Sequence, residues 1–405
     1  MDPAASSCLL AINVLRAGWQ WVRQAALWAC LMGAAHALEI NHANEAELDS
    51  VRGLGPTISR AILAERQIKP FANWADLMRR VKGIGPASAE RFAAQGLTVN
   101  GGNKFVSSTI YGVYANGDCT GTTVSGNAIA NTPHGVYLNG ATNLSVGAPG
   151  GANVIAAGAN TTGSYVGTAT SVGVYATGAL TGTTVGVNSI VDNTIGVYLT
   201  SATGLTIRGA NLFRNRSYGV FATGADTSTV LQSNTISGVI PGGPASSYGV
   251  YLQGATGLQL GTAGAGNNIA SNSCGIYASG VLTGTTIAAN GVVANTTGIQ
   301  LQSAQNLAVA RGNDVRSNSA FALYAAGNCS GTSVRGSTYR HSSTGMYLDS
   351  VQNLIISGNQ VVSNSSVGLF ARGASTGTSV TGNVIRANVQ NVNTVQASGG
   401  TFQKI

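Results

Sequence analysis

Charge, and acid above all, is scarce in this chain. Charged residues amount to 8% of its 405, against about a quarter in ordinary globular proteins. No Glu follows Glu90, and the only acids beyond it are Asp118, Asp192, Asp226, Asp314 and Asp349. So few carboxylates offer no cluster to hold calcium. The 5 Cys and 4 His are scattered, so neither a disulfide framework nor a metal-ligand set emerges, and no metal or cofactor is expected. No apolar run is long enough to cross a membrane comfortably. The segment Ala25–Ala34 falls short of the roughly 20 residues a spanning helix needs.

What the chain does have is apolar content, 44% of all residues, laid out with a period. Gly-Val-Tyr or a close variant starts at Gly112, Gly135, Gly173, Gly196, Gly219, Gly249, Gly275, Gly298, Gly345 and Gly368, with Ala322 and Asn391 in the same place in two more copies. Seven of the eleven intervals are 23 residues, one is 24, and three (38, 30 and 26) carry loop insertions. Periodic apolar residues exclude disorder, and a step of this length predicts stacked units that bury their apolar faces against one another. Within a copy, Val136 and Leu138, Leu144 and Val146, then Val154 and Ile155 alternate with period two between turn residues. Three short strands per copy are expected, with no room for a helix. Copies alternate in kind, Thr-Gly-Thr-Thr at 181–184 against Ala-Thr-Gly-Leu at 202–205, so the duplicated unit is two copies long.

This pattern resembles the right-handed parallel β-helix family, of about 12 coils over residues 107–395, with a tail at 396–405. Asn127, Asn188, Asn290, Asn295, Asn313, Asn318, Asn359, Asn364, Asn383 and Asn388 fit the side-chain ladders of that family's turns. If Val136 and Leu138 point inward, the residue between them points out. That register holds Tyr114, Tyr137, Tyr175, Tyr198, Phe221, Tyr251, Tyr277, Tyr324, Tyr347 and Phe370, broken by Gln300 and Asn393. Such a column either stiffens the sheet or forms a sugar- or surface-binding strip. Near the C-terminus Arg311, Arg316, Arg335, Arg340 and Arg386 suggest a polyanion-facing strip, with Arg316 above Arg340 and Arg311 above Arg335. A solvated face is the alternative.

Many β-helix proteins cleave polysaccharides, and glycoside hydrolysis needs two carboxylates about 5 to 9 Å apart. Asp118 and Asp226 share a loop register four coils apart, and the other three Asp occupy unrelated registers. No signature of the pectin hydrolases occurs, and His134 and His341 stand alone. The expectation is a β-helix without catalytic residues and a protein that is not an enzyme. Cys119, Cys274 and Cys329 are expected to be unpaired.

Residues 1–37 resemble a secretory signal, with Arg16 and Arg23 before the apolar run and Ala35-His36-Ala37 at its end. An exported protein is expected, periplasmic or at the cell surface. Between this leader and the repeat the period changes. Residues 45–66 and 74–95 read as helical, punctuated by Val51-Arg52-Gly53-Leu54-Gly55-Pro56 and Val81-Lys82-Gly83-Ile84-Gly85-Pro86. Each turn aims backbone N–H groups and a helix N-terminus outward, which suits a phosphate. Together with Glu39-Ile40-Asn41-His42-Ala43-Asn44 and Pro70-Phe71-Ala72-Asn73-Trp74, residues 38–100 resemble the tandem helix-hairpin-helix domain of ComEA-type competence proteins. The resemblance implies binding of double-stranded DNA without sequence preference. Main-chain contacts would come from Gly53, Leu54, Gly55, Gly83, Ile84 and Gly85. Arg52, Arg60, Arg79, Arg80 and Lys82 would reach phosphate, and residues 101–106 would link this domain to the repeat. The main expectation is therefore an exported DNA-binding protein on a β-helix scaffold. An adhesin or glycan-binding solenoid is the alternative, and a polysaccharide lyase or hydrolase the next.

Overall fold

A computed structural model describes residues 9–12, 38–71, 74–93, 95, 97–99, 104–106, 110–156, 171–238 and 248–402. The expected signal segment lies outside the described residues except for Leu9–Ile12. Those four residues form a strand antiparallel to Tyr111–Asp118, which covers the first edge of the solenoid.

The repeat folds as a right-handed-type parallel β-solenoid. Each coil runs through three strands that join three parallel sheets. The long sheet holds twelve strands from Tyr111–Asp118 to Gln390–Ser398, which gives eleven full turns. The second sheet follows each long strand, from Thr123–Val124 to Thr401–Phe402, and the third sheet runs from Lys104–Val106 to Val384–Arg386. The expected linker is therefore shorter than 101–106, because Lys104–Val106 already pairs with Ala128–Ala130. The solenoid likewise runs past residue 395, because the strand Thr401–Phe402 pairs with Ser379–Val380.

Inward side chains stack by type. Val136, Val174, Val197, Val220 and Val250 form one buried column, and Ile129, Ile155, Ile190, Leu212 and Ile236 another. The glycine near the start of ten of the twelve long strands is favoured by crowding. A Cβ on Gly135 would lie 2.6 Å from the carbonyl oxygen of Gly173 and 2.4 Å from Ile155.

Three corners separate the sheets, and each leaves backbone groups facing the interior that must find partners. Between the second and third sheets Asn127, Asn153, Asn188, Asn234, Asn267, Asn290 and Asn313 lie buried. Asn267, for example, donates from Nδ2 to Leu231 O (2.9 Å) and to Asn290 Oδ1 (2.9 Å). Between the third and long sheets Asn193, Asn215, Asn272, Asn295, Asn318 and Asn364 repeat the device. The expected ladder thus resolves into two.

The remaining corner explains the two-coil unit. Long strands alternate between eight and nine residues because every second one carries a bulge. A Thr in the shorter coil closes the gap. Thr285 Oγ1 donates to Ala255 O (2.6 Å) and accepts from Leu258 N (3.2 Å), and Thr183 and Thr332 play the same part in other coils.

Two coils break the rule of apolar filling: Asp226 and Ser375 sit, fully buried, at the same corner place. Asp226 takes the place held by Leu180, Leu282 and Cys329 in sister coils and is fully buried (0% exposed). Its Oδ1 accepts from Ala202 N (2.8 Å), while Oδ2 has no protein partner. It does not share Asp118's register, since Asp118 sits one residue earlier and outward, at the place of Ala225. Burial pushes the Asp226 carboxyl up from 3.8 to about 7. Hydrogen bonds from Thr120 and Asn143 hold that of Asp118 down.

Among the described residues four helices precede the solenoid: α1 (Glu45–Asp49), α2 (Pro56–Ile68), α3 (Trp74–Arg80) and α4 (Pro86–Ala93). Ile40, Leu48, Ile62, Phe71, Trp74, Leu77 and Phe92 form their separate core, and Ala128 of the first complete coil packs against it. Leu38–Glu39 pairs with Leu97–Thr98 and ties the ends of the unit together.

Asp226→Leu tests the buried acid. A folded-state pKa above the unfolded one means the native protein holds a proton that the unfolded chain releases. Stability therefore falls as pH rises from about 4 to 7, by about 4 kcal/mol for a shift of this size. Chemical unfolding of the Asp226→Leu variant should show higher stability at pH 7 and lose that decline. An unchanged pH profile would refute the assignment.

Candidate nucleic-acid interface and aromatic face

The two hairpins are built alike. In the first, Val51 and Leu54 are buried while Arg52, Gly53, Gly55 and Thr57 are exposed. In the second, Val81 and Ile84 are buried while Lys82, Gly83 and Gly85 are exposed. Gly53 and Gly83 sit at φ of +94° and +98°, a conformation that costs glycine least. Each hairpin packs against the helix that follows the other one. A Cβ on Gly53 would meet Phe92 of α4 at 3.6 Å, and one on Gly83 would meet Ile58 of α2 at 3.5 Å.

The two donor sets differ. Gly55 caps α2 with no side-chain hydrogen bond; Pro56 carries no N–H and Ile58 N donates to Gly55 O, so Thr57 holds the remaining first-turn donor. In the second hairpin Ser88 Oγ already accepts from Gly85 N at 2.8 Å.

The expected side chains divide. Leu54 and Ile84 are core anchors whose backbone N–H groups already donate to Val51 O and Val81 O, which corrects the expectation that they contact phosphate. Arg80 is structural: its side chain is 15% exposed and pairs with Glu65 and Asp76. It also donates to the carbonyls of Glu65 and Lys69 and lies over the Phe71 ring at 4.5 Å. Arg60 pairs with Glu45 and Arg79 with Asp76, both at the surface, where such pairs are weak. Among the described residues Arg52 and Lys82 have no carboxylate partner. The opening motif is structural too. Asn44 and Glu47 form a capping box on α1, Asn41 bridges to both backbone groups of Phe71, and Arg66 ties down Ile40 O and Ala43 O.

On the solenoid, the predicted aromatic register is in place. Tyr114, Tyr137, Tyr175, Tyr198, Phe221, Tyr251, Tyr277, Tyr324, Tyr347 and Phe370 pair coil to coil, and all are half-buried and face outward. Tyr137 stacks on Tyr175 with centroids 4.6 Å apart, and Tyr251 on Tyr277 at 4.5 Å. Burial raises the phenols of Tyr137, Tyr175 and Tyr324, and that of Tyr251 to about 12.

A second column, three residues earlier, lies beside the first: Tyr111, His134, Tyr218, Tyr248 and Phe321. Sequence reading missed it because period two places that residue inward. The chain turns the corner there, and the crowded glycine after it resets the alternation. His134 is thus wedged between Tyr137 and Tyr175 rather than isolated, and burial lowers its pKa. On the far side runs a polar column, Asn116, Asn139, Thr177, Thr200, Thr223 and Gln253.

The arginine strip is partly self-neutralised. Arg316 and Arg340 share a register, and both bind Asp314, Arg340 through two nitrogens at 2.9 Å. They hold the Asp314 carboxyl below its ordinary value. Arg311 and Arg335 are out of register by one residue, because Val309 pairs with Val334. Arg386 lies beyond Val362, two coils from Arg340. Cys119 is disulfide-bonded, which corrects the expectation that it is unpaired. Cys274 and Cys329 are free and buried.

A family model described as a helix-hairpin-helix motif matches residues 33–95, and one described as a right handed beta helix region matches 224–385. A third, described as periplasmic copper-binding protein (NosD), matches 95–290. No curated protein matches the sequence. Among solved structures, the AlgE4 A-module, a mannuronan C-5 epimerase of Azotobacter vinelandii, is similar at 12% identity over 75% of this chain and 89% of that one (TM-score 0.49). The periplasmic alginate epimerase AlgG is similar at 14% identity over 71% and 70% (TM-score 0.48). An alginate lyase from Paenibacillus sp. str. FPU-7 is similar at 13% identity over 70% and 98% (TM-score 0.40).

The expectation that the protein is not an enzyme is corrected by these neighbours, which are two epimerases and a lyase. A search for paired carboxylates tests only for hydrolysis. Copper, which one matched family's description names, is not fitted by the donors present. Among the described residues no group of three or more His, Cys, Asp or Glu is placed to hold a metal. Burial pushes the Cys274 and Cys329 thiols up to about 12 and about 11, away from the thiolate form a metal binds.

Arg80→Ala should destabilise the helical unit by about 3 kcal/mol, because it strands Glu65 and two carbonyls and removes one partner of Asp76. Denaturant unfolding followed by Trp fluorescence would measure it. A loss below about 0.5 kcal/mol, the range of ordinary surface substitutions, would place Arg80 back among the free surface cations.

Proposed function

We propose that this is an exported β-helix protein that binds a polysaccharide chain along the aromatic face of its long sheet. The observation that carries the reading is that the solenoid does not need those rings. Gln300 stands in the column between Tyr277 and Tyr324 with ordinary strand pairing on both sides. The rings elsewhere form a half-buried apolar surface along seven consecutive coils, Tyr114 to Tyr277, beside a column of amides and hydroxyls. Flat apolar surface next to hydrogen-bonding groups is what a sugar ring presents in reverse. Export is supported by the leader-like N-terminus and by the periplasmic family model matched over residues 95–290.

A second activity is favoured by the paired hairpins: the N-terminal unit holds double-stranded DNA by its phosphates, as in competence-type DNA uptake. Exposed Gly53, Gly55 and Gly83 and the uncapped start of α2 supply main-chain donors. Arg52 and Lys82, one on each hairpin, supply charge at matched positions.

Affinity electrophoresis through gels containing neutral or acidic polysaccharides tests the first reading. At least one polymer should retard the full-length protein. Tyr137→Ala with Tyr175→Ala should cut the retardation several-fold while the unfolding midpoint changes little. Equal retardation of variant and wild type would count against it.

Gel shifts with duplex DNA test the second. Binding should weaken steeply with salt, and Arg52→Ala with Lys82→Ala should lower the slope by about 2, one for each phosphate these side chains neutralise. Absence of any shift at low salt would sink it.

A further inference from the structure

The second sheet carries a groove that neither reading uses. It runs across four coils on the outer surface, roughly 14 Å from strand to strand, and encloses about 550 Å³. A tight turn at 148–151 bounds one end, and its counterpart at 262–265, four coils on, stands at the other. The second turn fixes part of the groove wall, since Thr262 Oγ1 donates to Gln232 Oε1 at 3.0 Å. That bond leaves the Gln232 amide nitrogen free to face a ligand.

The floor is open because Gly186 occupies the outward row that holds Arg208 and Gln232 in the next two coils. A Cβ there would meet nothing closer than 3.7 Å, so the space belongs to the groove rather than to packing. Arg208 is exposed and has no carboxylate partner among the described residues. Ser145 and Thr184 add hydroxyls in the first outward row.

Val187 supplies an independent sign of purpose. It sits at φ +38° and is 41% exposed. Other coils fill this left-handed corner position with Gly126, Gly209, Ser233 or Ala289. A β-branched residue there is strained and shows apolar surface to solvent, which the fold alone does not reward.

We propose that this groove binds a hexuronate unit of an acidic glycan. The sugar carboxylate meets the Arg208 guanidinium in a charge-assisted fork. Ring hydroxyls are met by Ser145, Thr184 and Gln232, and the apolar face of the ring rests on Val187. The site lies on a different sheet from the aromatic face and does not depend on it.

Titration calorimetry with the full-length protein tests this. The probes are tetramers of galacturonic and of mannuronic acid, their methyl esters, and inorganic phosphate. At least one acidic tetramer should bind, with its ester at least tenfold weaker. Arg208→Gln should weaken binding at least tenfold. Gly186→Gln, which places in the row a side chain that Gln232 shows it accepts, should block it. In a Tyr137→Ala, Tyr175→Ala background the tetramer should still bind and Arg208→Gln should still weaken it, which separates this site from the aromatic face. Failure of both tetramers to bind at millimolar concentration would overturn the proposal. So would wild-type affinity in both groove variants, equal competition by phosphate, or abolished binding in that background.

Discussion

The solenoid depends on satisfying the backbone at its three corners. Each corner turns peptide groups toward a dry interior where water cannot reach them, and an unpaired buried amide or carbonyl costs on the order of 1–3 kcal/mol. Two corners solve this with Asn, whose side chain both accepts and donates and so links one coil to the next. The third uses Thr in every second coil, spanning two coils with one hydroxyl. The register of all three sheets follows from these ladders. So does the alignment of every outward column, including the rings of the long sheet and the row that holds Arg208.

This inward economy frees the outside. With the apolar filling and the polar ladders both directed inward, an outward position can hold Tyr, Gln, Asp or Arg without disturbing the coil. Function on such a scaffold is written as columns, and adjacent coils set the spacing at roughly 4.8 Å. The aromatic face and the groove of the second sheet use that spacing on different sheets, and the hairpins form a separate unit at the N-terminal end. Asp226 is the exception that shows the cost of placing charge inside: its carboxyl stays protonated to a much higher pH than an exposed one.

Much of this was legible in the sequence. The 23-residue step gave coil, strand count and the outward register of Tyr137 and its partners, because apolar alternation and turn residues repeat without interruption. The doubled Gly-apolar-Gly gave the hairpins. Other features were not legible. The second aromatic column was hidden because the corner glycine breaks the alternation. Arg80 read as a phosphate ligand but is consumed by Glu65, Asp76 and two carbonyls from distant parts of the chain. Arg311 and Arg335 read as stacked although pairing shifts them by one residue. Cys119 read as unpaired but is disulfide-bonded.

By itself, then, the sequence determined the architecture: a helix-hairpin-helix unit followed by a parallel β-helix, fixed by local periodicity and turn chemistry. Only tertiary structure decided which polar and charged groups are spent inside the fold and which remain free for a ligand. Hydrogen bonds and ion pairs between residues far apart in the chain settle that question, and linear spacing does not record them.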